Sequence, residues 1–317
     1  MSCLTEEIMS GCDRTKENIR VISGRLSRLA EAQVCEISAL ADAAVALLSP
    51  LVSDGMGICE LLSYLSDYDI KTAAEPTVLI EDNRTLIRSF VRLADTAARA
   101  AFSSILNDRI SSVISAGVGD FLPHRHKGGK VCYVKNALSD EAYDVFSENI
   151  DEPTVFYVRS FSEAVKAVLN ADAEYCILPL EEKGGTRIPT VGEMIYRNDL
   201  KISAVTPVFG FDGTADLRFS LISTSFTIPE RGNGDDMYLE IRLDGDCADI
   251  ADIVNAAGCL GISVFRIGTQ LCRTEDGDTR VSSLVFREDG GSFAAFLTYL
   301  TLFAPSCAAV GVYKNLE

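Results

Sequence analysis

The chain has 317 residues, a net charge of −17 at pH 7 and a pI near 4.6, with 47% hydrophobic residues. That length accommodates two or three domains with their own cores, and the acidic balance opposes nucleic acid and acidic lipid surfaces as partners. Ten cysteines run from Cys3 to Cys307 without C-x-x-C spacing, which predicts small apolar residues in a reducing compartment and no metal site or cofactor. Glu6 and Glu7 stand where a signal peptide would be basic, and Pro50 breaks the apolar run from Ala43 to Val52, so the expectation is a cytoplasmic protein without a membrane span.

From Thr15 to Ser49, Ile19, Ile22, Leu26, Ala30, Val34, Ile37, Ala41, Ala44 and Leu48 recur at helical spacing, and Pro50 ends the pattern. A shorter helix is predicted from Asp54 to Tyr68. A third starts with Asp82 as its cap and carries Leu86, Phe90, Leu93, Ala97, Ala101, Ile105 and Ile110 towards Gly117. Apolar stripes need partners, so residues 1–119 read as a helical bundle completed by a second subunit, and a homodimer is expected.

Residues 120–130 (DFLPHRHKGGK) combine Pro123, Gly128 and Gly129 with five basic or imidazole side chains, the composition of a solvated linker. His124-x-His126 is better read as part of that linker than as a metal site, because Asp120 and Cys132 are its only nearby ligand types.

Residues 131–230 alternate strands and helices: Val131 to Val134, Asp140 to Phe146, Thr154 to Val158, Ser162 to Leu169, and Tyr175 to Leu180. This order predicts a mostly parallel sheet. After RGNGDD, residues 235–317 read βαββαβ, with strands Met237 to Leu243, Ile262 to Ile267, Arg280 to Phe286 and Ala308 to Tyr313, and helices Ala248 to Ala257 and Ser292 to Phe303. Met237, Leu239, Ile241 and Leu243 alternate with Tyr238, Glu240, Arg242 and Asp244, so one face of that strand is expected to be buried and the other solvated. The expected class is α/β and α+β multidomain, ending in a ferredoxin-like sandwich.

Tyr175-Cys176-Ile177-Leu178-Pro179-Leu180-Glu181 is similar to the strand and Pro-x-Glu signature of the prephenate dehydratases, and Leu217-Arg218-Phe219 stands where they carry Thr-Arg-Phe. Ser160-Phe161-Ser162-Glu163 looks like that family's helix entry, Gly184-Gly185-Thr186 stands near its Glu-Gly-Ser turn, and Gly261-Ile262-Ser263-Val264 is similar to the opening of the second ACT strand. The order of parts resembles the P-protein family, in which a chorismate mutase-like helical domain, a prephenate dehydratase and an ACT regulatory domain follow one another. The resemblance implies a place in phenylalanine biosynthesis and an amino acid or aromatic acid as ligand.

The departures matter as much. Loss of water from prephenate needs an acid at the leaving hydroxyl, and Leu217 offers no hydrogen bond where the family's Thr does; losing such an acid costs about two to four orders of magnitude in rate. Glu182 and Lys183 replace a neutral Asn-Ser pair, and Tyr133 to Ser139 lacks both glycines of the family's substrate loop. Only Val208 to Asp216 separates the preceding strand from Leu217, too few residues for the family's second lobe. No Arg or Lys lies between Arg28 and Lys71 to clamp a mutase substrate, and Gly245-Asp246-Cys247 and Gly268-Thr269-Gln270-Leu271 replace the phenylalanine-sensing motifs.

Arg218 and Glu181 are the catalytic candidates if activity survives, with Thr214 or Ser220 as a substitute hydroxyl. Lys183, Thr186, Ser139, Gly245 and Gly261 are the ligand-binding candidates. Three readings remain open: a catalytically degenerate ligand-binding or regulatory dimer, an active prephenate dehydratase of carbon–oxygen lyase type, and an oligomerisation scaffold.

Overall fold

The structure is a computed structural model; it describes residues 31–46, 48, 94–114, 129–182, 185–209, 215–229, 236–244, 250–274, 277–304 and 306–316. The predicted helix from Asp54 to Tyr68, the Asp82 cap, His124 and His126 lie outside them.

Helix α1 covers residues 31–46 and buries Ile37, Ala41, Ala44 and, just beyond, Leu48, as the apolar spacing predicts, but Val34 of the same predicted stripe is exposed, and Ile19, Ile22, Leu26 and Ala30 lie outside the described residues. Helix α2 is Thr96–Ile114. Ala94 and Asp95 are not helical, so the predicted unbroken helix from Asp82 is corrected. The Asp95 carboxylate accepts the Ala98 amide at 2.8 Å and caps a new start. Ahead of Ile110, which is buried as predicted, the inward stripe is also shifted by one residue. Ala98, Phe102, Leu106 and Ile110 are buried, whereas Ala97 is exposed and Ala101 and Ile105 are half-buried. The bulky Phe102 and Leu106 decide which side packs, because they bury more apolar area than the alanines do.

The first sheet contains β1 (Lys130–Val134), β2 (Thr154–Val158), β3 (Tyr175–Glu182), β4 (Lys201–Phe209) and β5 (Ala215–Ser223), in the order β2-β1-β3-β5-β4. Helices α3 (Ala137–Ser147) and α4 (Phe161–Leu169) make the crossovers between the parallel strands β1, β2 and β3. β5 is antiparallel to both β3 and β4, so the sheet is mixed and the mostly parallel expectation is corrected. Five residues between β4 and β5 leave room for a hairpin turn, not for a helical crossover. Helix α5 (Pro189–Arg197) joins β3 to β4, with Pro189 at its first turn, where a missing N–H costs nothing.

The second sheet contains β6 (Met237–Asp244), β7 (Ile262–Thr274), β8 (Gly277–Glu288) and β9 (Cys307–Lys314), in the order β7-β8-β6-β9 with every neighbour antiparallel. Helices α6 (Ile250–Cys259) and α7 (Phe293–Phe303) complete a split βαββαβ arrangement. They cover one face, where Leu239, Ile241, Leu243, Leu284 and Phe286 pack with Phe296. α7 is buried nearly all round, because its far side carries Leu302 into the apolar cluster of α1 and α2.

The other face of the second sheet is not solvated. Tyr238 and Glu240 are buried, and Tyr238, Val281, Val285, Cys272, Val310 and Tyr313 share one apolar cluster with Leu178, Leu180, Val191 and Ile195 of the first sheet and α5. The one-sided expectation for β6 is therefore corrected. The two sheets also meet edge to edge, where β9 runs beside β4. The Leu316 amide donates to the Val205 carbonyl at 2.8 Å and Lys201 Nζ to the Ala309 carbonyl at 3.1 Å. Gly311 permits this approach, since a Cβ there would collide with the Ile202 carbonyl.

No helix among the described residues is long and apolar enough to cross a membrane.

Candidate functional site

Pro179 shapes the end of β3. It has no N–H for the ladder, and the register with β5 slips there: Pro179 faces Phe219, while Glu181 faces Arg218. One extra residue on β3 is accommodated as a bulge. Strict alternation would place Glu181 on the side of Ile177, away from Leu178. The bulge re-aims it, so Glu181 shares a face with Arg218 and looks into the seam between the two sheets.

There Glu181 is 1% exposed and surrounded by guanidinium groups. Arg266 Nη2 of β7 lies 2.6 Å from Oε1, Arg218 Nη1 lies 3.1 Å from Oε2, and Arg187 Nη2 lies 3.9 Å from Oε1. Arg187 Nη2 also pairs with Glu240 Oε2 at 2.5 Å. Glu240 is fully buried and accepts from Tyr196 at 2.9 Å and from Tyr313 at 3.4 Å. Arg218 Nη2 donates to the Asn315 side chain, Arg266 Nη1 donates to the Gly185 carbonyl at 2.9 Å, and Arg242 Nη1 donates to the Tyr196 carbonyl. The arrangement is a chain of charge-assisted bonds across the seam.

Burial alone would raise the Glu181 carboxyl, but Arg266 first, and then Arg218 and Arg187, outweigh it and hold the group below its ordinary range. Burial, reinforced by Glu240, pushes Tyr196 and Tyr313 up, so both are neutral donors. Chemically, the site supplies positive charge and donors. It supplies no proton, since the one carboxyl at the Pro-x-Glu position is held ionised.

Arg218 and Glu181 are thus brought together, as strand partners. Leu217 is not with them: it is half-buried against the cluster of Val131, Tyr133, Phe219 and Leu221 on the opposite face of β5. Ser220 lies on the Arg218 face, but its hydroxyl donates to the Leu178 carbonyl at 3.2 Å. Ser139 is buried in the first turn of α3, which Asn136 caps: the Ser139 amide donates to Asn136 Oδ1 at 3.0 Å and its hydroxyl accepts from Asn136 Nδ2 at 2.9 Å. Thr186 is exposed, and its carbonyl closes the β3 turn by accepting from the Glu182 amide at 2.8 Å. Gly261 has φ +70° and packs against the Gly290–Gly291 backbone in the second unit. Lys183, Gly245 and Thr214 lie outside the described residues. Ser139, Thr186 and Gly261 therefore serve local backbone geometry and do not converge on Glu181.

Sequence reasoning missed Arg187, Glu240, Arg266, Tyr196, Tyr313 and Asn315. Glu240 and Arg266 each stand inside a strand, where a solvated face explains them; their counter-charges, Arg187 and Glu181, come from the other sheet's segment of the chain. Among the described residues, no group of three or more His, Cys, Asp or Glu could hold a metal ion. Burial pushes the Cys132 thiol up to about 12, which makes it an inert packing residue.

No protein-family model matches this chain, and no curated protein matches it. Among solved structures it is similar to a prephenate dehydratase from Streptococcus mutans, with 14% identity, a TM-score of 0.45, and coverage of 59% of this chain and 99% of that one. It is also similar to GqqA, described as a novel type of quorum quenching acylase, with 19% identity, a TM-score of 0.43, and coverage of 58% and 94%. A prephenate dehydratase from Arthrobacter aurescens in complex with L-Phe is similar at 13% identity and a TM-score of 0.41, with coverage of 58% and 89%.

Proposed function

We propose that this chain is a catalytically inert relative of the prephenate dehydratases of aromatic amino-acid metabolism, working in the cytoplasm as a small-ligand-binding or regulatory protein with an ACT-like C-terminal unit. The observation that carries the reading is the closure of Glu181 and Arg218 on each other and on the second sheet. An acid for a departing hydroxyl must hold a proton at working pH, and Glu181 is held ionised by three guanidinium groups. A cation for a substrate carboxylate must be available to it, and Arg218 is already paired with the buried Glu181 carboxylate and donates to the Asn315 side chain. The resemblance is supported by the pairing of its two signature segments on neighbouring strands. The split βαββαβ order supports the ACT-like assignment of the last unit.

The test is conversion of prephenate to phenylpyruvate by the full chain, followed by absorbance in alkali. No turnover above the uncatalysed rate is expected, and Leu217→Thr restores none, since its hydroxyl would sit on the face opposite Glu181 and Arg218. Turnover that disappears in Arg218→Ala would overturn the proposal.

A further inference from the structure

The charges at the seam do not balance among the described residues. Arg187, Arg218 and Arg266 bring three guanidinium groups to two carboxylates, Glu181 and Glu240. Arg242 stands apart, 3.9 Å from the exposed carboxylate of Asp244. Tyr196 and Tyr313 are neutral, so among the described residues one positive charge is left over. A buried cation is costly unless an anion faces it.

The donors are unbalanced in the same place. Arg187 Nε and Nη1 are buried without a hydrogen-bond partner among the described residues. Only Nη2 is engaged, so the N–H of Nε and the two of Nη1 point at nothing that accepts. Arg187 is 12% exposed, while Arg218 and Arg266 are 23% and 24% exposed. The cluster is therefore deep at Arg187 and reaches the surface at the other two. Gly185 sits at that rim, with φ +81° and open space where a Cβ would stand. Its carbonyl already holds Arg266 in place.

We propose that the seam between the two sheets is an anion site for one small monocarboxylate, seated on the Nε and Nη1 donors of Arg187 behind the more exposed Arg218 and Arg266. A single negative charge matches the single surplus guanidinium. Multiply charged anions are disfavoured by the net charge of −17. A planar carboxylate suits guanidinium donors better than a spherical halide does. The site rests on the proposed ligand-binding role and adds to it a place and a chemical class.

Thermal unfolding and titration calorimetry on the full chain test this, with acetate and phenylpyruvate as probes and chloride and phosphate at matched ionic strength as controls. Arg187→Lys keeps a cation between Glu181 and Glu240 but removes the unpaired donors. Saturable stabilisation by the carboxylates, absent with chloride and at least tenfold weaker in the variant, is the expected result. Should Arg187→Lys fail to fold, Arg266→Lys at the rim is expected to weaken binding in the same sense. Equal stabilisation by chloride sinks the site, leaving ordered water as the partner of those nitrogens. Binding unchanged in either folded variant also sinks it but leaves the ligand-binding role standing. No stabilisation by either carboxylate removes the site but not the ligand-binding role, which fails only if thermal unfolding is unmoved by the amino acids as well; the prephenate assay judges catalysis separately.

Discussion

The C-terminal unit is held to the rest of the chain in two unlike ways. Through α7 it meets α1 and α2 chiefly with apolar side chains, Leu302 among Phe102, Leu106 and Ile110, with the Arg99 guanidinium over the Phe303 ring. Through the open face of β6 it meets β3, α5 and β5 with a ladder of buried charges centred on Glu181, Arg187 and Glu240. Apolar contacts stabilise in proportion to the area removed from water and tolerate several packings. Charged contacts of this kind add little net stability but penalise every arrangement that leaves one member unpaired. The helical contact thus supplies adhesion. The seam supplies register, because only one placement of the second sheet pairs Arg266 with Glu181 and Arg187 with Glu240 at once.

This contrast is open to direct attack. Glu240→Ala leaves the buried Arg187 without its nearest carboxylate and is expected to destabilise by about 3–5 kcal/mol in denaturant unfolding. Glu240→Leu combined with Arg187→Met should recover most of that loss, because the pair then leaves together. A double variant as unstable as the single one would contradict the assignment of register to the seam. Leu106→Ala in the helical contact is expected to cost about 3 kcal/mol through its cavity, with the seam bonds intact. The discriminating measurement is tyrosine absorbance: Tyr196 and Tyr313 should stay shielded in Leu106→Ala and become titratable at lower pH in Glu240→Ala.

A smaller effect separates the contacts by pH. The Glu181 carboxyl is lowered from its ordinary 4.5 on folding. Its contribution is full above that unfolded value and is lost as pH falls through the lower folded one, by at most about 1.4 kcal/mol per pH unit. Stability should therefore fall on acidification below about pH 4.5 in the wild type and fall less steeply in Glu181→Gln. The helical contact contributes nothing to this slope. Equal slopes in both proteins would show that Glu181 carries no linked proton.

Much of the local architecture is legible in the chain. Strands over 131–182 and 237–244 lie within a residue or two of their predicted limits, because period-two burial and flanking turn residues are local properties. β7 is the exception. It runs to Thr274 and not to Ile267, since Gly268-Thr269-Gln270 has the composition of a turn but pairs with β8 throughout. The mixed first sheet was equally hidden, as strand order depends on which edge a hairpin joins. Of the site, Glu181 and Arg218 were legible from their motifs, although their mutual pairing was not.

The amino-acid pattern alone specifies the alternation of elements, the apolar faces of α1 and β6, and the missing hydroxyl at Leu217, because each depends on neighbours a few residues apart. The folded arrangement decides that the polar face of β6 is buried, that Pro179 turns Glu181 towards Arg218, and that Arg187 faces more donors than acceptors. Those outcomes depend on side chains tens of residues apart meeting where water is excluded. A charged residue on a strand reads as solvated until the chain brings its counter-charge.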